Sequence, residues 1–538
     1  MRSLLCRIKA YIQPFERVLA LKELQALSRS EPESSDGNDK LGNGETVFKI
    51  QTDIHPAFLL ENLTYWESVG EDDFTFRLTR QVKREATVNL VRNGIKPNIL
   101  KKSLPFKHEA PLPNRRVLRY ASHGIHEYRG KFFPQLVRSL LNATGITQDS
   151  IVFDSMCGSG TTPVEAILRG CNSIGMDYNP LSVFMSQAKC EILSVAPKTL
   201  TVEYETIKKD LLEKSKRHKS KPWFDSLPAS SQKYLTNWFN PDVLIDLDTI
   251  ILRVHETRNE SIKKFFLLCL SNIIRKVSWQ KIDDLRVRKD IRLDIDIDTV
   301  AEFIAELKRS FGYVISFLYE NGSRGIGKAR MVTGDARVAD MVIPEQVGLV
   351  DCIVTSPPYA TALPYLDTDR LSIYYLDLFQ RSEHRKHDLE MIGNREITNG
   401  LRNELFEKYQ ERKAGLPVSI SGTIDLIYEL NKGTDAGFRR QNLPSLLSKY
   451  FFDMKEIFRT YTRLLRPGAH AYVVVGNNHT VAGGQRVEIE TDGYLAELGE
   501  SIGLIVDEQI PMEMLVSRDI FRNNTGSAET IICFSKSR

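Results

Sequence analysis

The sequence predicts an α/β protein: a doubly wound, largely parallel sheet, interrupted by a helical insertion and preceded by a small N-terminal appendage. Three observations carry this reading. From residue 132 onward, short apolar runs alternate with segments of helical period, joined by short connections. Over 195–325 the alternation stops and the pattern is helical; it resumes near 329. Finally, "HAYVVVGN", 470–477, is a near-continuous apolar run of the kind found in parallel strands covered on both faces.

Taken in order, "MRSLLCRIKAYIQPFERVLALKEL" breaks its apolar residues with charges too often for a signal peptide and predicts an amphipathic helix. Residues 29–46, "RSEPESSDGNDKLGNGET", predict a flexible connector, so 1–46 is read as a helix plus linker. Residues 47–115 form a small unit whose fold the pattern leaves open. The core spans 116–194 and 326–538. "FFPQLVRSLLNATG", 132–145, is a helix with Pro134 near its start and Gly145 after its end. "SIVFD" (150–154), "TTPVEAILRG" (161–170), "NSIGMD" (172–177) and "PLSVFMSQAKCEIL" (180–193) are strand, helix, strand and helix. Within 195–325, segments 240–256, 261–277 and 297–319 are helices, the first with Asn240 as cap and Pro241 in its first turn. Strands follow at 329–335 and 349–355, then a polar, charged interruption at 380–440. A long helix over 445–468, the strand 470–477, a helix from 491 and a last strand from 529 complete the chain.

The 538 residues, 42% hydrophobic and 26% charged, fit an ordinary globular composition. No apolar run approaches a membrane span. Seven scattered cysteines without a CxxC pair suit a reducing cytoplasm. Net charge is only +4, but "KKDLLEKSKRHKSK", 208–221, sets seven Lys/Arg against two acids, and 275–292 and 381–413 are also basic. Such runs are either solvated helix faces or contacts to a phosphate backbone.

The strand tips carry the chemistry. In "VFDSMCGSGTTPVEA", 152–166, Gly158 and Gly160 let the backbone approach a ligand, and a helix starts at once. A phosphate-binding loop needs Lys after the last glycine, whereas Thr161-Thr162 stands here; a dinucleotide fingerprint needs a third glycine. Asp177, 17 residues after Gly160, ends the next strand, where an acid can accept both hydroxyl protons of a ribose; it could equally cap the following helix. A ligand with a ribose and no phosphate to cradle fits both segments, and S-adenosylmethionine is one. At the tip of 350–355, "TSPPY" stiffens the chain with two prolines. There the Ser356 hydroxyl and the Pro357 carbonyl can accept the protons of a planar amine. Pro358 helps to lock them, and the Tyr359 ring can stack on a base.

"FDSMCGSGTT", "GMDYNP" and "TSPPY" together resemble the motifs of amino-methylating DNA methyltransferases, especially the cytosine-N4 group. "HGIHEYRGKFFPQLV", "TGDAR" and "LLRPGAHAYVVVGN" are similar to further segments of that family; Ser155-Met156 departs from it, where the family often has Pro. The resemblance covers most of 116–538 apart from the two insertions. It implies a Rossmann-like class I methyltransferase fold with a doubly wound mixed sheet, S-adenosylmethionine as cofactor, double-stranded DNA as partner and flipping of the target base. It places Gly158, Ser159 and Gly160 at the methionine moiety, with Cys157 and Thr161 beside them. Asp154 orders the glycine loop, Asp177 meets the ribose with Tyr178 and Asn179 next to it, and Asp335 and Ala336 lie near the adenine. His126, Lys131 and Phe132 close over the methionine end. Ser356, Pro357, Pro358 and Tyr359 hold the target base. A restriction or other defence-system component is a candidate partner.

Other chemistries fit less well. Cytosine-C5 methylation needs a nucleophilic cysteine, usually after proline in that family, and the chain has no Pro-Cys dipeptide. The patterns of a zinc deaminase are incomplete, and no metal site is expected. Adenine-N6 methylation uses the same acceptors and is the close alternative. An RNA guanine-N2 enzyme, or a catalytically silent DNA-binding scaffold of the same fold, stands further off. Target recognition is expected in 380–440 with part of the helical insertion, both lining a DNA cleft opposite Tyr359.

Overall fold

The structure is a computed structural model that describes residues 1–34, 47–72, 74–92, 94, 99, 117–128, 130, 133–213, 220–281, 288–291, 297–360, 365–394, 397–433, 437–512 and 529–538. The chain opens on a strand, not on the expected helix. In β1 (Arg2–Ile8), Leu4, Cys6 and Ile8 are buried at a period of two, which a sheet satisfies and a helix does not. The helix follows at Pro14–Ser28. β2 (Glu33–Ser34), β3 (Val47–Thr52), β4 (Trp66–Gly70) and β5 (Arg77–Leu78) complete an antiparallel sheet of order β2-β3-β1-β4-β5. The expected boundary at 46/47 therefore divides no two units, because β1 pairs with both β3 and β4. Most of the predicted connector, 35–46, lies outside the described residues.

The main sheet has seven strands: β6 (Ile151–Asp154), β7 (Asn172–Asp177), β8 (Ala329–Thr333), β9 (Val350–Thr355), β10 (Leu465–Gly476), then, after the hairpin β11 (Asn478–Ala482) and β12 (Gln485–Ile489), β13 (Leu504–Met512) and β14 (Glu529–Lys536). Their order is β13-β14-β10-β9-β6-β7-β8. From β10 to β8 neighbours run parallel, while β14 is antiparallel to both β10 and β13. The chain steps outward from β6 to β7 and β8, then returns to the other side of β6 for β9 and β10. The switch point falls between β6 and β9, where open α/β sheets bind ligands.

Alternation along the strands sends each residue to one of two cores. Val152, Cys352, Val354, Tyr472 and Val474 pack with the N-terminal sheet and the helices Pro14–Ser28 and Pro134–Ala143. Phe153, Ile353, Val473 and Val475 face the helix Phe438–Leu464. What looks like an appendage thus covers one face of the main sheet.

Between Pro197 and Asn321 lie six helices among the described residues: Pro197–Leu212, Pro222–Ser226, Ala229–Thr236, Pro241–His255, Glu260–Val277 and Thr299–Asn321. Asn240 caps the fourth, its side chain accepting the Asp242 N–H at 3.0 Å. The polar, charged 380–440 interruption is largely helical among the described residues. It folds into His384–Glu390, Asn399–Arg412 and Val418–Asn431, and the last buries Ile420, Ile424 and Ile427 against the Phe438–Leu464 helix. Among the described residues no helix is long and apolar enough to cross a membrane.

Candidate active site

The loops leaving β6, β7, β8 and β9 open onto one cavity of about 490 Å³. Met156 to Ser159 and Thr161 line it after β6, Asp177 to Asn179 after β7, Gly334 to Arg337 after β8, and Ser356 to Tyr359 after β9. The predicted ribose acid and the predicted amine-holding turn therefore face the same space.

The glycine turn is held from several sides. Gly158 has φ +48°, and a Cβ there would stand 2.9 Å from the Tyr128 ring, so the turn needs glycine twice over. The Gly158 N–H donates to Asp177 Oδ2 and the Asn179 N–H to Asp177 Oδ1, both at 2.8 Å. Ser186 Oγ donates to the Gly158 carbonyl and Lys189 Nζ to the Ser159 carbonyl, each at 3.0 Å. Burial pushes the Asp177 carboxyl up to about 6, although these backbone N–H groups pull it down. Gly160 and Asp154 stand behind the lining. Gly160 caps the next helix at φ +80°, and Asp154 accepts the Met156 N–H at 3.2 Å while burial pushes its carboxyl up to about 7.

Asp335 lines the cavity but is occupied. Its Oδ1 accepts the Arg337 N–H at 2.9 Å, and the Arg337 guanidinium grips both its oxygens at 2.7–3.0 Å. The same guanidinium donates to Asp453 Oδ1 at 2.9 Å and to the Glu390 carbonyl at 3.1 Å.

On the β9 side, the Tyr359 hydroxyl donates to the Glu529 carboxylate. Gly476, at the tip of β10, leaves room for that ring, since a Cβ there would lie 3.2 Å from it. Gly393, from the second insertion, packs on the same turn: a Cβ would be 2.9 Å from Pro358 Cβ.

Not every predicted residue comes to this cavity. Lys131 and Phe132 lie outside the described residues. His126 is a correction. Its Nδ1 meets the Glu127 carbonyl at 2.7 Å and its Nε2 meets Ser271 Oγ at 3.0 Å, turning it into a second cavity of about 730 Å³ beside the helices Glu260–Val277 and Thr299–Asn321. Tyr128, two residues on, lines the first cavity instead, next to Gly158. Sequence reasoning also missed Arg337, Glu390, Met391, Ile392 and Glu529, all of which line it. Only Arg337 carried a local signal, two residues after Asp335; the others come from distant segments.

Cys352 is buried within β9, away from the cavity lining, and burial drives its thiol above the ordinary range. Among the described residues no group of three or more His, Cys, Asp or Glu could hold a metal ion.

A family model described as UPF0020: RMKL-like, methyltransferase domain, matches residues 126–220, which contain the glycine turn and Asp177. The chain is 25% identical over 390 residues to the type II methyltransferase M.MvaI of Kocuria varians, covering 70% of this chain and 80% of that protein. It is 22% identical over 449 residues to the type II methyltransferase M.BsoBI of Geobacillus stearothermophilus, covering 75% and 84%. With the type II methyltransferase M.MjaII of Methanocaldococcus jannaschii it shares 25% identity over 324 residues, 45% and 60% of the two chains.

Proposed function

We propose, on the premise that this chain belongs with the S-adenosylmethionine-dependent methyltransferases, that it methylates the exocyclic amine of a flipped base in double-stranded DNA, cytosine N4 foremost. One observation carries the proposal: Asp177 and the glycine turn share a single cavity with Ser356 and Tyr359. The motif resemblance to amino-methylating DNA methyltransferases and the type II methyltransferases among its relatives support the choice of substrate. Ser in the first position of the S-P-P-Y turn favours cytosine.

Gly158, Ser159 and Asp177 would hold the cofactor, in a turn whose missing Cβ leaves the necessary room. When bound, S-adenosylmethionine supplies an electrophilic methyl group on a sulfonium. The chain's own task is to make a poor nucleophile competent. An arylamine lone pair is delocalised into its ring. Ser356 Oγ and the Pro357 carbonyl accept the two amine protons and hold a geometry that frees the pair for attack. Tyr359 stacks on the base, its ring angle fixed by Glu529. The prolines hold the acceptors before the base arrives, so little ordering entropy is lost at the reaction.

Expression in a methylation-free host followed by genome-wide mapping of modified bases tests this. N4-methylcytosine in one sequence context is expected. N6-methyladenine would reject the cytosine assignment, and unmodified DNA would reject the activity. Replacing Ser356 by Ala should lower turnover by about 10²-fold or more and leave cofactor affinity nearly unchanged.

A further inference from the structure

Four carboxylates line the cavity: Asp177, Asp335, Glu390 and Glu529. Each can be asked what it has left for a ligand. Asp177 sits at the glycine turn and is the ribose acid of the proposed function. Glu529 accepts the Tyr359 hydroxyl on the target-base side. Asp335, the acid expected near the adenine, has both oxygens gripped by Arg337. Glu390, like Glu529, carries one tyrosine hydroxyl, but its tyrosine is Tyr178 and not Tyr359. Its Oε2 accepts the Tyr178 hydroxyl, and its Oε1 accepts no hydrogen bond among the described residues. Tyr178 directly follows the ribose acid of the proposed function, so Glu390 lines the cavity beside that segment.

Its backbone is fixed as well. Arg337 donates to the Glu390 carbonyl at 3.1 Å, and Lys449 Nζ donates to the next carbonyl, that of Met391, at 3.2 Å. Both cations are anchored on Asp453, at 2.9 and 2.6 Å. Asp335 thus acts through Arg337 to position Glu390.

We propose that Glu390, on the second insertion, accepts the exocyclic amine of the cofactor's adenine, with Asp335 a positioning residue behind it. The inference rests on S-adenosylmethionine as cofactor. An anionic acceptor there favours a purine bearing an amine and rejects one bearing a carbonyl oxygen, because two acceptors would then face each other.

Calorimetric titration with S-adenosylhomocysteine and with S-inosylhomocysteine, in which the amine is replaced by an oxo group, tests it without turnover. The wild type should prefer the adenine ligand by about tenfold or more. Glu390→Ala should bring the preference close to one. Glu390→Gln, whose amide can donate to the oxo group, should abolish or reverse it; this near-isosteric change carries the test if the alanine variant fails to fold. Asp335→Asn should keep most of the preference. An unaltered preference in both Glu390 variants overturns the proposal, as does its loss in Asp335→Asn alone. A wild type that binds both ligands equally also overturns it and leaves the cofactor reading standing. A wild type that binds neither overturns both.

Discussion

Asp177 has its two oxygens on the N–H groups of Gly158 and Asn179. Burial raises its carboxyl from 3.8 to about 6. A raised acid stabilises the cofactor-free fold fully below about 3.8, and that contribution is lost as pH rises through about 6. Ligand binding has the opposite slope, since hydroxyl donors call for the ionised acid. Affinity for S-adenosylhomocysteine should therefore fall as pH drops below about 6. Asp177→Asn should remove that step and weaken binding about tenfold or more at neutral pH, read by titration between pH 5 and 8. Burial pushes the Asp154 carboxyl higher still, to about 7, above the Asp177 step.

At the scale of elements, the segment from Glu390 to Gly393 joins two jobs. Its first residue touches Tyr178 and its last packs on Pro358 and the Tyr359 carbonyl. Gly393 has φ +75°, so Gly393→Ala adds left-handed strain of about 1–2 kcal/mol to a 2.9 Å contact. The S-P-P-Y turn must shift, and turnover should fall about 10–100-fold while S-adenosylhomocysteine affinity changes much less. Unaltered turnover would detach this segment from the turn. None of this coupling was legible in the sequence, because Tyr178 and Glu390 are 212 residues apart. The strand tips were legible, because short apolar runs ending in Asp154, Asp177 and Thr355 give a periodic signal. The insertion's helices were missed because the charge concentrated in 381–413 masks the apolar stripe of Ile420, Ile424 and Ile427 that follows it. The helix expected over 445–468 begins earlier, at Phe438, and runs through Pro444; the Arg440 carbonyl that this proline leaves unpaired accepts Asn431 Nδ2 at 3.0 Å. β13 was hidden because an edge strand tolerates Pro511 and exposed charges that a central strand excludes.

For the whole molecule, buried ion pairs tie the N-terminal unit to the rest. Arg80 and Arg84 both reach Glu320 of the helical insertion, at 3.0 and 3.2 Å, while Lys9 meets Glu85 at 2.9 Å within the N-terminal unit itself. Tyr120 and His123 converge on Glu165, on the helix after the glycine turn, at 2.8 and 2.7 Å. A buried charge that loses its partner is costly. Glu320→Ala leaves two arginines without it and should destabilise the fold by about 3–5 kcal/mol, seen as a lower urea midpoint. A midpoint equal to the wild type would mean the arginines find water or another acid. β1 has a related consequence for anyone cutting this chain. It is the middle strand of its sheet, with β3 on one flank and β4 on the other. Trimming the first dozen residues removes the spine and not the fringe, laying bare two raw rows of backbone N–H and C=O groups that invite clumping between molecules.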